Sequence, residues 1–133
     1  MNAKLNILAV VLLLAATAFI FLRQSGGFKE VDPAAAMKLI ETPGALILDV
    51  RNPGEFADGY IQGAKLIPLP ELENRLGQLG DKKDAPLLVY CASGGRSASA
   101  SMLLQRSGWT NVSNLRGGLR AWSDAGYPVV KAK

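Results

Sequence analysis

The chain has no histidine and only one cysteine among its 133 residues. Without an imidazole, Ser-His-Asp and Cys-His nucleophilic machinery is excluded, and so are most zinc sites. A single thiol forms no internal disulfide, so cysteine usage does not identify the compartment. A strong charge of one sign is lacking too: 15 Lys and Arg stand against 11 Asp and Glu, a net +4. Setting aside Lys4 and Arg23, which flank an apolar run, leaves 13 against 11, or +2. There is no basic run and no basic-aromatic interleaving, so no nucleic-acid partner is expected. Internal repeats and low-complexity segments are also missing.

Against that even background stands one long apolar run. Leu5 to Leu22, LNILAVVLLLAATAFIFL, holds no charge and is bracketed by Lys4 and Arg23. As a helix it would rise about 27 Å, close to a bilayer core of roughly 30 Å. No polar face recurs at helical spacing, which argues against a buried soluble helix. Ala16-Thr17-Ala18 has the small-x-small form of a signal-peptidase site. Phe19-Ile20-Phe21-Leu22 continues the run beyond it, so we read an uncleaved single-pass membrane anchor, with a cleaved signal as the alternative. Positive charge flanks both ends and barely orients the segment. The short tail before the run resembles an export signal and points to an extracytoplasmic (periplasmic) domain; a cytoplasmic face is the alternative. The expected organisation is an anchor or signal segment at 1–23, a linker at 24–28 and one domain at 29–133.

Within that domain, FKEVDPAAAMKLI predicts a brief strand, then Asp32 as N-cap, Pro33 at the first helical position and a helix to about Glu41. ALILDV is a continuous apolar run, as in a strand buried on both faces. NPGEFADGY predicts a turn and a short helix, AKLIPL a short strand, and PELENRLGQL a helix with Leu72, Leu76 and Leu79 on one face. LLVY is the next buried strand. Ser97 to Ser107 predicts a helix closed by Gly108, NVSNL a last strand, and GGLRAWSDAGYPV a final short helix. Strands alternating with helices on short loops imply an α/β fold with a parallel sheet covered on both faces. Ligands of such sheets sit at the carboxyl ends of the strands.

Cys91 falls at one of those ends, in YCASGGRSASAS. Ala92, Ser93, Gly94 and Gly95 are small enough for the backbone to curl and turn successive N–H groups inward. Such a nest binds anions, the following helix adds its positive dipole end, and Arg96 adds a full charge. Each effect favours thiolate over thiol, so the loop itself would activate Cys91 without an imidazole. The competing reading is a strand-to-helix turn in which a small cysteine merely fits. Trp109 and Trp122 read as core aromatics. Arg116 and Arg120 read as solvated surface that could also enrich anions at the mouth. The Ser97, Ser99 and Ser101 series reads as small, close-packing helix surface rather than a second nucleophile.

Around this loop the chain resembles the rhodanese family, over roughly Val31 to Val130. LILDVRNPGEFADGYIQGAKLIPL is similar to the family's first signature, with Asp49, Arg51, Glu55, Phe56, Gly59, Ile61, Gly63, Ala64 and Pro68 in matching places. LLVYCASGGRSASAS is similar to its active-site loop. NVSNLRGGLRAWSDAGYPV is similar to its closing signature, with Gly117, Gly118, Trp122, Gly126, Tyr127 and Pro128. Tyr60 stands where a histidine is common and Leu66 where an asparagine is.

The resemblance implies a central parallel sheet of about five strands, flanked by helices on both faces. It implies a sulfurtransferase whose cysteine attacks the outer sulfur of a small anionic donor such as thiosulfate, releases sulfite and becomes a persulfide. A thiol or cyanide acceptor then takes the sulfur, in a two-step ping-pong cycle. Mapped here, Cys91 is the nucleophile and carrier, and the N–H groups of Ala92, Ser93, Gly94, Gly95 and Arg96 stabilise the sulfur anion. Arg96 also orients the donor. Asp49 and Arg51, ending the second strand on the same side, would support the loop; the alternative is a solvent-facing ion pair. No cofactor or metal is implied. Resembling phosphatases place five residues between cysteine and arginine, and here there are four, a ring better suited to sulfur than to phosphate. A non-catalytic persulfide carrier or membrane scaffold remains the alternative from another functional class.

Overall fold

A computed structural model describes residues 3–24 and 27–132, and in the first helix the side chains of residues 5 and 22–24 are also outside the description. Helix α1 (Ala3–Gln24) precedes a domain that runs β1 (Lys29–Val31), α2 (Pro33–Ile40), β2 (Leu46–Asp49), α3 (Pro53–Asp58) and β3 (Lys65–Leu66). It continues through α4 (Leu69–Leu72), a 3-10 segment (Glu73–Leu79), β4 (Leu87–Tyr90), α5 (Gly95–Arg106), β5 (Val112–Leu115) and α6 (Gly118–Asp124). All strand pairs are parallel, in the order β1-β5-β4-β2-β3.

Side-chain alternation along the central strand divides the core. Leu87, Val89 and Cys91 face one layer with Leu72 of α4 and Ala100 and Leu104 of α5. Leu88 and Tyr90 face the other with Ala36 of α2 and Trp122 of α6. All four residues of β4 are fully buried, which explains its unbroken apolar run. Helix starts follow their caps. The Asp32 carboxylate accepts the Ala35 N–H at 2.8 Å, and Asn52 and Glu55 form a reciprocal capping box at α3.

Two elements differ from expectation. The helix expected over PELENRLGQL is one turn of α-helix followed by the 3-10 segment, with Arg75 off helical geometry at φ −120°. Gly77 within the stretch weakens a regular helix, and burial of Leu72 and Leu79 in the same core layer decides its path. Helix α5 begins at Gly95 rather than Ser97, because Gly94 at φ +108° makes the turn and leaves Gly95 and Arg96 in the first helical turn.

Among the described residues, every exposed large apolar side chain except Met102 lies on α1, from Ile7 to Phe21. Among the described residues no helix is long and apolar enough to cross a membrane, so the fold does not itself establish the expected tether. Of the expected linker, Ser25 and Gly26 lie outside the described residues.

The start of α6 lies hard against the loop after β4. A Cβ on Gly118, at φ +63°, would sit 2.5 Å from the Ala92 carbonyl carbon and 2.6 Å from the Cys91 oxygen. Gly118→Ala should therefore destabilise the domain by about 2–3 kcal/mol, from backbone strain plus a clash with main chain. A urea-unfolding midpoint equal to wild type would contradict this packing.

Candidate active site

Strand β4 ends one residue before Cys91, and the chain there turns through Ala92, Ser93 and Gly94 into α5. The Gly94 N–H donates to the Cys91 Sγ at 3.1 Å and the Ser97 N–H at 3.4 Å. The Ser97 hydroxyl lies 3.3 Å from Sγ and 3.2 Å from the Gly94 carbonyl, so its one proton has two acceptors. A charged sulfur is the stronger competitor for it. Burial alone pushes the thiol up. The Ser97 hydroxyl and the N–H groups of Ser97, Gly94 and Ser93 outweigh that and hold Cys91 below its ordinary value. Cys91 is thus both a member of the core, 1 % exposed, and the focus of a polar cradle.

The loop's carbonyls point away from the sulfur. The Leu119 N–H donates to the Cys91 oxygen at 2.8 Å and the Arg120 N–H to the Ala92 oxygen at 3.1 Å. Asn114 of β5 donates through Nδ2 to the Gly94 oxygen at 3.3 Å and to Glu30 at 2.9 Å. Arg96 turns both terminal nitrogens to Glu55 of α3, at 2.7 and 2.9 Å. This pairing holds the Glu55 carboxyl down to about 2 and raises the Arg96 guanidinium.

The family described as the Rhodanese-like domain matches residues 32–125. The chain belongs to the rhodanese-like family. It is 36 % identical over 102 residues to a sulfurtransferase of Allochromatium vinosum, covering 76 % of this chain and 94 % of that one. It is 34 % identical over 106 residues to the thiosulfate sulfurtransferase GlpE of Pseudomonas putida, covering 80 % and 94 %. The crystal structure of a rhodanese-related protein from Thermoplasma volcanium superposes with a TM-score of 0.71 at 31 % identity, covering 79 % of this chain and all of that one.

In this rhodanese-like loop, the five expected amide donors divide. Those of Ser93 and Gly94 face Sγ, and the unforeseen one of Ser97 joins them. Those of Ala92, Gly95 and Arg96 make no hydrogen bond to Sγ; the last two, in the first turn of α5, have no intrahelical acceptor. Ser97 and Ser101 are fully buried, in keeping with close packing, while Ser99 is exposed; the interaction of Ser97 with Sγ was not expected. Trp109 and Trp122 are buried core residues, and Arg116 and Arg120 are exposed.

Asp49 and Arg51 are buried rather than solvent-facing and do not touch the loop. Arg51 pairs with Asp49 at 2.6 Å and donates to the Gly59 oxygen at 2.6 Å and the Glu55 oxygen at 3.2 Å. The pair therefore fixes the backbone of α3, and Glu55 carries that order to Arg96. Sequence reasoning assigned no site role to Ser97, Glu55 or Asn114. Glu55 had stood only among the residues matching the first signature, and the signal for Ser97 was its place in the first turn after the cysteine loop.

The rate of Cys91 alkylation by iodoacetamide should follow a pH profile with its midpoint below that of an ordinary thiol. Ser97→Ala should move that midpoint upward, since a donor to the thiolate is lost while burial remains. Coincident profiles for the two proteins would contradict the cradle.

Proposed function

We propose that the protein is a sulfurtransferase carrying a sulfane sulfur as a persulfide on Cys91. The observation that carries this reading is the ring of donors around Sγ, from Gly94 N–H, Ser97 N–H and Ser97 Oγ, at a strand end in a chain without histidine. The Cys91 thiolate attacks the outer sulfur of a donor such as thiosulfate. The donor's S–S bond breaks, sulfite leaves with the electron pair, and the new persulfide remains anionic. The N–H groups of Gly95 and Arg96, in the first turn of α5 and without intrahelical acceptors, are suited to the outer sulfur. An acceptor thiolate or cyanide then attacks that sulfur and Cys91 departs as thiolate. The name of the Pseudomonas putida relative supports thiosulfate as a donor. The four residues between Cys91 and Arg96 favour sulfur over a tetrahedral phosphate.

Treatment with thiosulfate should add about 32 Da, one sulfur, to the intact protein, and Cys91→Ser should abolish the gain. Release of sulfite and formation of thiocyanate from cyanide should likewise vanish in that variant. A wild-type protein that gains no mass would sink the reading. One that loads from a persulfide but never turns over thiosulfate would mark a carrier instead.

Residues 5–22 are proposed as a single-pass anchor for an extracytoplasmic domain. The charge-free run and the apolar side chains left exposed along α1 support it. The full-length chain should sediment with membranes and resist carbonate extraction, and deletion of residues 1–24 should release it. Full release of the intact chain by carbonate would refute the anchor.

A further inference from the structure

The chemistry of the loop's rim is set by a carboxylate as much as by the arginine. Glu55 takes both terminal nitrogens of Arg96 in a forked pair, Nη1 to Oε1 at 2.7 Å and Nη2 to Oε2 at 2.9 Å. The pair is partly exposed, 41 % for Arg96 and 30 % for Glu55. Arg96 follows Gly94 by two residues and precedes Ser97 by one, and both of those donate to Sγ. The Arg96 guanidinium also interacts with the Cys91 side chain, so the carboxylate paired with it stands near the sulfur. It is well anchored: Oε1 also accepts the Asn52 N–H at 3.3 Å, and the Glu55 carbonyl accepts from the buried Arg51 at 3.2 Å.

We infer that Glu55 makes the site discriminate by donor charge, favouring sulfane-sulfur donors of low negative charge over the thiosulfate dianion. This rests on the reading of Cys91 as persulfide carrier. A free guanidinium would offer a sulfonate two parallel N–H groups and a net positive charge. Here those groups are already engaged and the charge is neutralised by Glu55. A donor must compete with a fixed carboxylate or approach beside it, and like-charge repulsion grows with the donor's own charge.

The step balances for either donor class. Thiosulfate gives its outer sulfur to the Cys91 thiolate, and the S–S electron pair leaves with sulfite. A thiosulfonate gives the same sulfur, and the pair leaves with a sulfinate. The two donors thus deliver one and the same persulfide while differing by one unit of charge.

The test measures second-order rate constants for persulfide formation on the full-length protein, by intact mass, with thiosulfate and with the monoanion methanethiosulfonate. Glu55→Gln should shift the rate ratio towards thiosulfate by about three- to tenfold, the range for one nearby, partly screened charge. Glutamine still serves the capping box, so α3 keeps its start. Glu55→Asp keeps the charge and should hold the wild-type ratio within about twofold. An unchanged ratio in Glu55→Gln, or equal shifts in both variants, would overturn the inference while leaving sulfur transfer standing. Failure of wild-type protein to load from either donor would overturn both.

Discussion

The loop between Cys91 and Ser97 can present N–H groups to the sulfur because neighbouring elements hold its backbone from outside. A peptide unit is rigid and planar, so the Arg120 N–H that takes the Ala92 oxygen also orients the Ser93 N–H, one of the amides that face Sγ. The first N–H groups of α6 take the oxygens of Cys91 and Ala92, and Asn114 takes that of Gly94. Those contacts need the backbone of α6 to come within reach of the loop, and only glycine at 118 leaves room. The cysteine loop is thus built by its neighbours: a closing helix on one side and an adjacent strand on the other. Among the described residues, the buried side-chain nitrogens and oxygens all have partners except Asn114 Oδ1, which limits the cost of this polarity.

A second tier of order runs through charge. The Asp49–Arg51 pair is buried at the end of β2, where two ions are costly to desolvate unless fully hydrogen-bonded. Arg51 meets that condition by donating to the backbone of α3 as well as to its own strand end. Tyr90 packs beneath it, with the guanidinium carbon 5.6 Å from the ring centre, and its hydroxyl accepts the Ile61 N–H at 3.0 Å. The consequence is a fixed α3, and through Glu55 a fixed Arg96. Charge near the sulfur is therefore delivered already paired, which orders the loop and tempers its attraction for anions.

The identity of the chemistry also depends on what the domain does not use. With no imidazole available, thiolate character must come from hydrogen-bond donors, and donors work on sulfur only at short range. Placing Cys91 in the core layer beside Leu87 and Val89 fixes its position but raises the cost of charging it. The cradle supplies what burial removes. Position and activation are opposing demands here, met by different elements.

Much of this domain was legible in the chain itself. The apolar runs of β2 and β4, the cap at Asp32, and the glycine turn between Cys91 and α5 are encoded within a few residues of where they act. Local steric and hydrogen-bonding preferences are strong enough to mark them. What the tertiary structure alone decided are partnerships between distant segments: Glu55 with Arg96 across 41 positions, and Asn114 with Gly94 across 20. Ser97 belongs with these, because a serine in a helix faces sulfur or solvent according to how the helix rolls against its sheet. A side chain's type records what it can bond to, but its partner depends on strand order and helix phase. Those emerge only when the whole core packs at once.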